Sequence, residues 1–368
     1  MASLKVGPLS KADQAGVKAL VEAATLHDGV APLSEVPLLN LGSDSPLITN
    51  VIVHADEITA GYAQIDRTGE FASAELVVHP TARRCGIGHK LLKTAEADAR
   101  IPAISGGGLS AGKELRVWAH GDLAAAQAFT AAMGYEPVRE LLLLSRPLVP
   151  DAEAGTATPD NAVLPPGYRH RTFRPGHDDA AWVAVNALAF ANHPEQGRLS
   201  VADLQTRMAE PWFNRQDFHL ITFQGNGSSG VPENVGHLQD DRHPENISEH
   251  ENNAEQIAAF CWAKVPVLND GQKGETGEIY AIGVHPQHRR RGLAAYLLQA
   301  AAHQMAAAGL KNTTLYVEGN NEAALAAYYT AGFTPLTADI QYAKQKGVIG
   351  RANFDAFYEE MSIYDDEG

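Results

Sequence analysis

Apolar residues recur along this chain with two periods. Short runs rich in Val, Ile and aromatic side chains at 4–9, 47–55, 58–65, 71–78, 115–120 and 135–144 read as strands. A second set follows at 168–173, 219–223, 257–265 and 279–284. Elsewhere the spacing is helical: Leu293, Leu297, Ala301 and Met305 lie four apart on one face. Val17, Leu20 and Val21 follow Ser10, whose hydroxyl suits a helix start, and Ser200 stands in the same way before a helix over 201–208. Helices are also expected over 86–99, from Gly121 and over 180–190. The short turn between 47–55 and 58–65 makes that pair a hairpin.

One stretch organises the rest. The strand at 279–284 closes on His285-Pro286, then Arg289, Arg290, Arg291 and Gly292 lead directly into the helix that begins at Leu293. A helix start offers unpaired N–H groups and the positive end of the dipole, so this turn suits an anion, which Gly292 lets the backbone approach closely. Taken alone, an ordinary strand-to-helix turn that carries arginines reads equally well. An upstream copy changes that, because residues 75–88 repeat the order apolar strand, His79-Pro80, arginines and glycine. The two prolines are 286 − 80 = 206 positions apart and each lies six residues before its glycine. Both copies continue into a strand, a turn and an alanine-rich helix that ends in Gly-aromatic, at 118–135 and 316–333. A repeat this long indicates two domains of one fold, since solenoid periods are far shorter.

The layout Arg-x-x-Gly-x-Ala between strand and helix resembles the acetyl-CoA-binding motif of the GCN5-related N-acetyltransferases (GNAT). The resemblance implies an α/β (α+β) fold class: two tandem GNAT-fold domains, each a mixed central sheet flanked by helices. It divides the chain into a first domain at 1–148, a linker at 149–166, a second, catalytic domain at 167–345 and an acidic tail at 346–368. It also implies acetyl-CoA as co-substrate, with one molecule or one per domain both left open. In the second domain the coenzyme would be held by Ile282, Gly283 and Val284 on the strand, and by Arg289, Arg290, Arg291, Gly292, Leu293, Ala294 and Ala295 at the turn. The start of the later helix would add Asn321, Glu322, Ala323, Ala324, Leu325 and Ala326. In the first domain the matching residues are Leu76, Val77, Val78, Arg84, Cys85, Gly86, Ile87, Gly88 and His89. Cys85 stands where the family usually has arginine.

The copies differ in their acid–base residues. Aligned on the prolines, Glu278 corresponds to Ala72; aligned on the later segment, Tyr328 corresponds to Thr130 and Glu318 to His120. Acetyl transfer to an amine needs a base for the nitrogen proton and an acid for the departing thiolate. Glu278 and Tyr328 are the candidates, with backbone N–H groups around 282–284 polarising the thioester oxygen. Judged singly, Glu278 reads as an exposed charge and Tyr328 as a packed helix aromatic; their joint absence from the first copy favours the chemical reading. The first domain is therefore expected to bind coenzyme and transfer little.

The ordered set HDGVAPLSE, ELVVHPTARRCGIG, NHPEQG, FCWAKV, GEIYAIGVHPQHRRRGLA and LYVEGNNEAALAAYYTAGF narrows the resemblance to the tandem members that act in actinobacterial mycothiol biosynthesis. That implies a small-molecule substrate, cysteinyl-glucosaminyl-inositol, acetylated on its cysteine amine. By the same resemblance Glu35, Glu195, Lys264, Glu278 and Tyr316 contact it, in a cleft between the domains. Two alternatives stay open: an acetyltransferase for another amine, such as a peptide or an antibiotic, and a non-catalytic acetyl-CoA-binding module.

Composition sharpens this only in places. The 368 residues suit two domains, and the net charge of −15 argues against nucleic acid or an anionic membrane as partner. With no signal-peptide pattern and no long uncharged apolar run, a cytoplasmic, monomeric protein is expected. Cys85 and Cys261 fall in different repeats and read as free thiols, with no metal-ligand spacing around them. His237, His243 and His250 are irregularly spaced in the polar insertion at 225–253, which reads as disordered and unliganded. The glycine-rich stretch at 101–113 reads as a flexible loop; a strand follows it, which argues against a P-loop.

Overall fold

A computed structural model of the chain describes residues 3–55, 58–102, 104–105, 108–109, 112–148, 163–191, 196–224, 255–266 and 274–344. The insertion histidines, Glu195, the linker at 149–162 and the acidic tail lie outside the described residues. The chain forms two compact units, one comprising residues up to Glu140 and from Asp339 on, the other Leu141–Ala338.

In the first unit, β1 (Ser3–Val6) leads to α1 (Lys11–Asp28), α2 (Glu35–Leu39), β2 (Ile48–Ala55), β3 (Ile58–Asp66) and β4 (Ala72–Val78). Then follow α3 (Ile87–Ala99), a two-residue pair β5 (Ile104–Ser105) and β6 (Gly108–Leu109), β7 (Leu115–Ala119), α4 (Ala124–Ala132) and the first part of β8 (Tyr135–Pro147). The glycine-rich stretch thus closes on itself as a minimal antiparallel pair where a loop is expected. Helix α1 starts on a reciprocal cap in which Ser10 and Asp13 each accept the other's backbone N–H, and ends at Gly29 in the left-handed conformation. Val17, Leu20 and Ala24 of α1 pack with Ile52, Tyr62 and Val77 of the sheet. The sheet order is β1-β2-β3-β4-β7, with the end of a later strand beyond β7.

The second unit begins with the remainder of β8 and continues through β9 (Tyr168–Thr172), α5 (Asp179–Ala189), α6 (Val201–Met208), β10 (Phe218–Phe223), β11 (Gln256–Lys264) and β12 (Thr276–Val284). It closes with α7 (Leu293–Ala307), β13 (Asn312–Glu318), α8 (Glu322–Thr330) and β14 (Thr334–Lys344). Its sheet order is β8-β13-β12-β11-β10-β9. One face packs on α7 and α8 through Leu293, Leu297, Ala301, Met305 and their neighbours. The other packs on α5 and α6 through an aromatic cluster of Phe173, Trp182, Trp212, Phe218, Phe260 and Trp262.

Two long strands divide their length between the units. Leu141–Pro147 of β8 pairs with β13 in the second unit, and Ile340–Ala343 of β14 pairs with β7 in the first. A division of the sequence at residue 148 does not reveal this exchange, because both segments have the same strand periodicity wherever they pair.

Gly61 in β3 leaves room for α3: a Cβ there would lie 2.6 Å from Ile87 Cγ2 and 3.1 Å from Leu91 Cδ1. Gly61→Val should therefore cost about 1–3 kcal/mol by overpacking, read as a lower urea midpoint with an unchanged m-value.

Candidate active site

The repeated turn takes the same shape in both units. Arg84 (φ 65°) and Gly86 (φ 80°) in the first, and Arg290 (φ 59°) and Gly292 (φ 75°) in the second, adopt the left-handed conformation. A non-glycine residue there is uncommon, and a matched pair marks a turn whose backbone path is imposed. Each turn opens a helix, α3 or α7, whose N-cap is a glycine with no side-chain cap, whereas Ser10 and Ser200 cap α1 and α6. The first backbone N–H groups of α3 and α7 thus have no capping side chain, as an anion site requires. In the second unit Arg289, Arg290 and Arg291 are exposed around that helix start. In the first, Arg83 is committed to a bidentate pair with Asp28 at 2.8 and 2.6 Å, which holds that carboxyl below its usual range.

Behind the second turn the sheet opens. Strands β12 and β13 run parallel and pair from Thr276↔Asn312 to Ile279↔Leu315, and there the pairing ends although both strands continue. At the same place β12 carries a bulge. Trp262 pairs with Ala281 and Ala263 with Ile279, so Tyr280 is an extra residue. As a result Tyr280 and Ala281 both face the aromatic cluster under α5 and α6, while Ile279, Ile282 and Val284 face α7 and α8. By alternation Glu278 joins the α5/α6 face, between its register partners Lys264 and Thr314. Tyr316 projects from that face too, since Leu315 and Val317 beside it are buried under α7 and α8. Lys264, Glu278 and Tyr316 thus come together on three neighbouring strands.

Tyr328 stands on the opposite side, in α8, partly buried against the α7/α8 core. Burial, with Cys261 nearby, pushes its phenol up to about 12, so it stays protonated at neutral pH. Cys261 is fully buried and its thiol is pushed well above the ordinary range, whereas Cys85 is exposed; neither is in a disulfide. Asn321 caps α8 by accepting from the Ala324 N–H, so the predicted run from Asn321 to Ala326 forms the first turns of that helix. Among the described residues no group of acidic, His and Cys side chains could hold a metal ion, and no helix is long and apolar enough to cross a membrane.

Family models match each half: residues 48–137 fit an acetyltransferase (GNAT) domain and 210–333 the acetyltransferase (GNAT) family. Among solved structures, a GCN5-related N-acetyltransferase from Sphaerobacter thermophilus superposes with a TM-score of 0.59 at 19% identity, covering 93% of this chain and 95% of that one. A tandem GNAT protein from the clavulanic acid biosynthesis pathway gives 0.59 at 15%, covering 92% and 98%. Among sequences, the mycothiol acetyltransferase of Sanguibacter keddieii is 40% identical over 93% of this chain and 96% of its own length. That of Catenulispora acidiphila is 38% identical over 90% and 96%. The chain belongs to the mycothiol acetyltransferase family.

Within this mycothiol acetyltransferase fold the first unit differs at the corresponding opening. Strands β4 and β7 also run parallel and stop pairing early, after Ala74↔Val117, but the β3–β4 register runs without a shift. Ala72, the counterpart of Glu278, therefore keeps the parity of Val78, which faces Gly88 of α3. On the α1 face Glu75 begins a buried chain of polar groups. One oxygen accepts from the Ser34 hydroxyl at 2.6 Å; the other accepts from the Ser34 N–H at 2.6 Å and lies 3.0 Å from His120 Nε2. His120 Nδ1 lies 2.9 Å from Asp339, whose other oxygen accepts from the Gly121 N–H at 2.8 Å. Glu35, predicted to touch substrate, is the first residue of α2, next to Ser34. Sequence reasoning noticed His120 only as the counterpart of Glu318 and missed Glu75, Ser34 and Asp339; they lie 41 to 219 positions apart, and no local pattern joins them.

Burial by itself would depress the His120 imidazole, but Glu75 and Asp339 outweigh it and raise its pKa from 6.5 to about 10. A raised folded-state pKa means that protonation stabilises the fold: the contribution is complete below pH 6.5 and is lost as pH rises through about 10. The melting temperature of the protein should therefore fall across that window. In His120→Gln, already less stable at neutral pH, the fall should be markedly shallower in a scanning-calorimetry series.

Proposed function

We infer that the chain transfers the acetyl group of acetyl-CoA to the cysteine amine of cysteinyl-glucosaminyl-inositol, giving mycothiol and CoA. The observation that carries this reading is the bulge at Tyr280, which turns Glu278 toward the α5/α6 face while Ile282, Val284 and Tyr328 stay on the other, at the point where β12 and β13 part. An acceptor approaching from one face and a thioester lying against the other would meet through that opening.

In this reading Arg289, Arg290, Arg291 and the N–H groups that follow Gly292 hold the pyrophosphate, with Leu293, Ala294 and Ala295 forming the first turn around it. Asn321 and the first turns of α8 flank the pantetheine arm. The backbone of Ile282, Gly283 and Val284, beyond the last β12–β13 pair, offers donors to the thioester oxygen. Glu278 takes the proton from the acceptor nitrogen, directly or through one water; an α-amino group with a pKa of about 8 asks no stronger base. Tyr328, neutral at working pH, returns a proton to the departing thiolate. Lys264, Glu278 and Tyr316 line the acceptor side. The enzyme is read as a cytoplasmic monomer.

The first domain, in the division at 1–148, is read as a coenzyme-binding copy that does not transfer. It keeps Leu76, Val77 and Val78, the turn from Arg84 and Cys85 to Gly86, and the helix start at Ile87, Gly88 and His89. Its acceptor side is occupied by Ser34, Glu75 and His120.

Purified protein should acetylate cysteinyl-glucosaminyl-inositol and leave glucosaminyl-inositol, which lacks the cysteine, untouched. Glu278→Gln should lower kcat by about 10²–10⁴, and activity on the cysteine-free compound would point to another amine. Gly86→Val, strained at φ 80°, should remove one of two acetyl-CoA equivalents in calorimetric titration with little change in turnover. Collapse of turnover in folded protein would refute the division of labour.

A further inference from the structure

A bulge needs something to hold the extra residue, because the ladder no longer does. Here the Tyr280 hydroxyl accepts a hydrogen bond from Arg207 Nε at 2.7 Å. Its ring sits 5.2 Å from the rings of both Trp212 and Trp262. Arg207 is itself well fixed: its Nη1 donates to the Asp203 carbonyl at 3.0 Å, one turn back in α6. That helix starts on the reciprocal Ser200–Asp203 cap and is anchored by Leu204, which is fully buried in the aromatic cluster. Over the same rings lies the Lys264 ammonium, 4.7 Å from the Trp212 centroid and 5.4 Å from that of Tyr280. Lys264 is the register partner of Glu278. In the first unit the counterpart of Tyr280 is Ala74, 280 − 206, and the register there is unbroken.

We propose that Tyr280, braced by Arg207, is a positioning residue for acetyl transfer: it holds the bulge that presents Glu278 to the acceptor and seats the Lys264 ammonium beside it. The proposal rests on Glu278 being the base. Loss of the bulge is a one-residue slip that turns every side chain before it to the other face, so a loosened Tyr280 lets Glu278 leave the acceptor side. A cation kept beside the carboxylate also favours its ionised, proton-accepting form, which ties the brace to the pH at which the enzyme works.

The test uses full-length Tyr280→Phe, which keeps the ring and loses the hydroxyl, together with Arg207→Met, Arg207→Lys and the Tyr280→Phe/Arg207→Met double variant. Each single loss should lower kcat on the order of tenfold or more, leave KM for acetyl-CoA unchanged and move the acidic limb of the kcat profile to higher pH. The double variant should be no worse than either single one, because one bond is shared, and Arg207→Lys should recover part of the rate. Wild-type kcat and pH profile in Tyr280→Phe, strictly additive losses, or a lowered melting temperature with normal kinetics would each overturn the proposal. If Tyr280→Phe fails to fold, Arg207→Met carries the same test from the surface side. Glu278→Gln assayed in parallel separates the two readings. If it is inactive while Tyr280→Phe is normal, only the brace fails; if it is fully active, the base assignment fails with it.

Discussion

The second unit depends on where two parallel strands stop bonding to each other. Between Thr276 and Ile279, β12 is tied to β13; beyond that the ladder ends while both strands run on. Buried backbone groups are rarely left without partners, so a gap inside a sheet is a costly feature that persists only where something else fills it. The surroundings keep the gap open. Gly283 lets Phe260 pack within 2.6 Å of where its Cβ would be, and Gly277 lies equally close against Met305. The strand is thus clamped from both faces where its pairing with β13 has ended. In the proposed function, an acyl group accepting from that strand would take the place of the missing strand pairing.

The two halves show how a duplicated fold diverges through register as well as through side chains. Placing a glutamate at position 72 would not convert the first unit, since the unbroken β3–β4 register would point it at α3. The first unit has used its equivalent opening for internal bonding, with an imidazolium held between Glu75 and Asp339 at 3.0 and 2.9 Å. Such a chain of charge-assisted bonds is strong only when every member is satisfied, and Ser34 and Gly121 supply the remaining donors. The first motif arginine has likewise turned inward, onto Asp28.

Much of this was legible in the sequence. The strand and helix periods, the repeated His-Pro to glycine spacing and the Ser10 and Ser200 caps are local signals, and the structure follows them closely. The asymmetry of Glu278 and Tyr328 between the two copies needed only an alignment of the chain with itself. The face on which Glu278 lies was hidden, because an alternating pattern does not mark a bulge: GEIYAIGV reads as a regular strand, and only the register with β11 shows Tyr280 to be extra. Arg207 was equally invisible, as one more polar residue on an exposed helix. Strand β14 escaped notice because its buried half, Asp339 to Ala343, is mixed in polarity, with Asp339 and Gln341 among the buried residues.

The exchange of strand ends has a consequence for how the molecule is made. The edge of β7 and the second carboxylate on His120 both come from residues 339–343, at the far end of the chain. A ribosome that has finished residues 1–140 has therefore not yet finished the first unit. During synthesis that half lacks the strand beside β7 and keeps only Glu75 as a carboxylate partner for His120, and both are completed only when nearly the whole polypeptide has emerged.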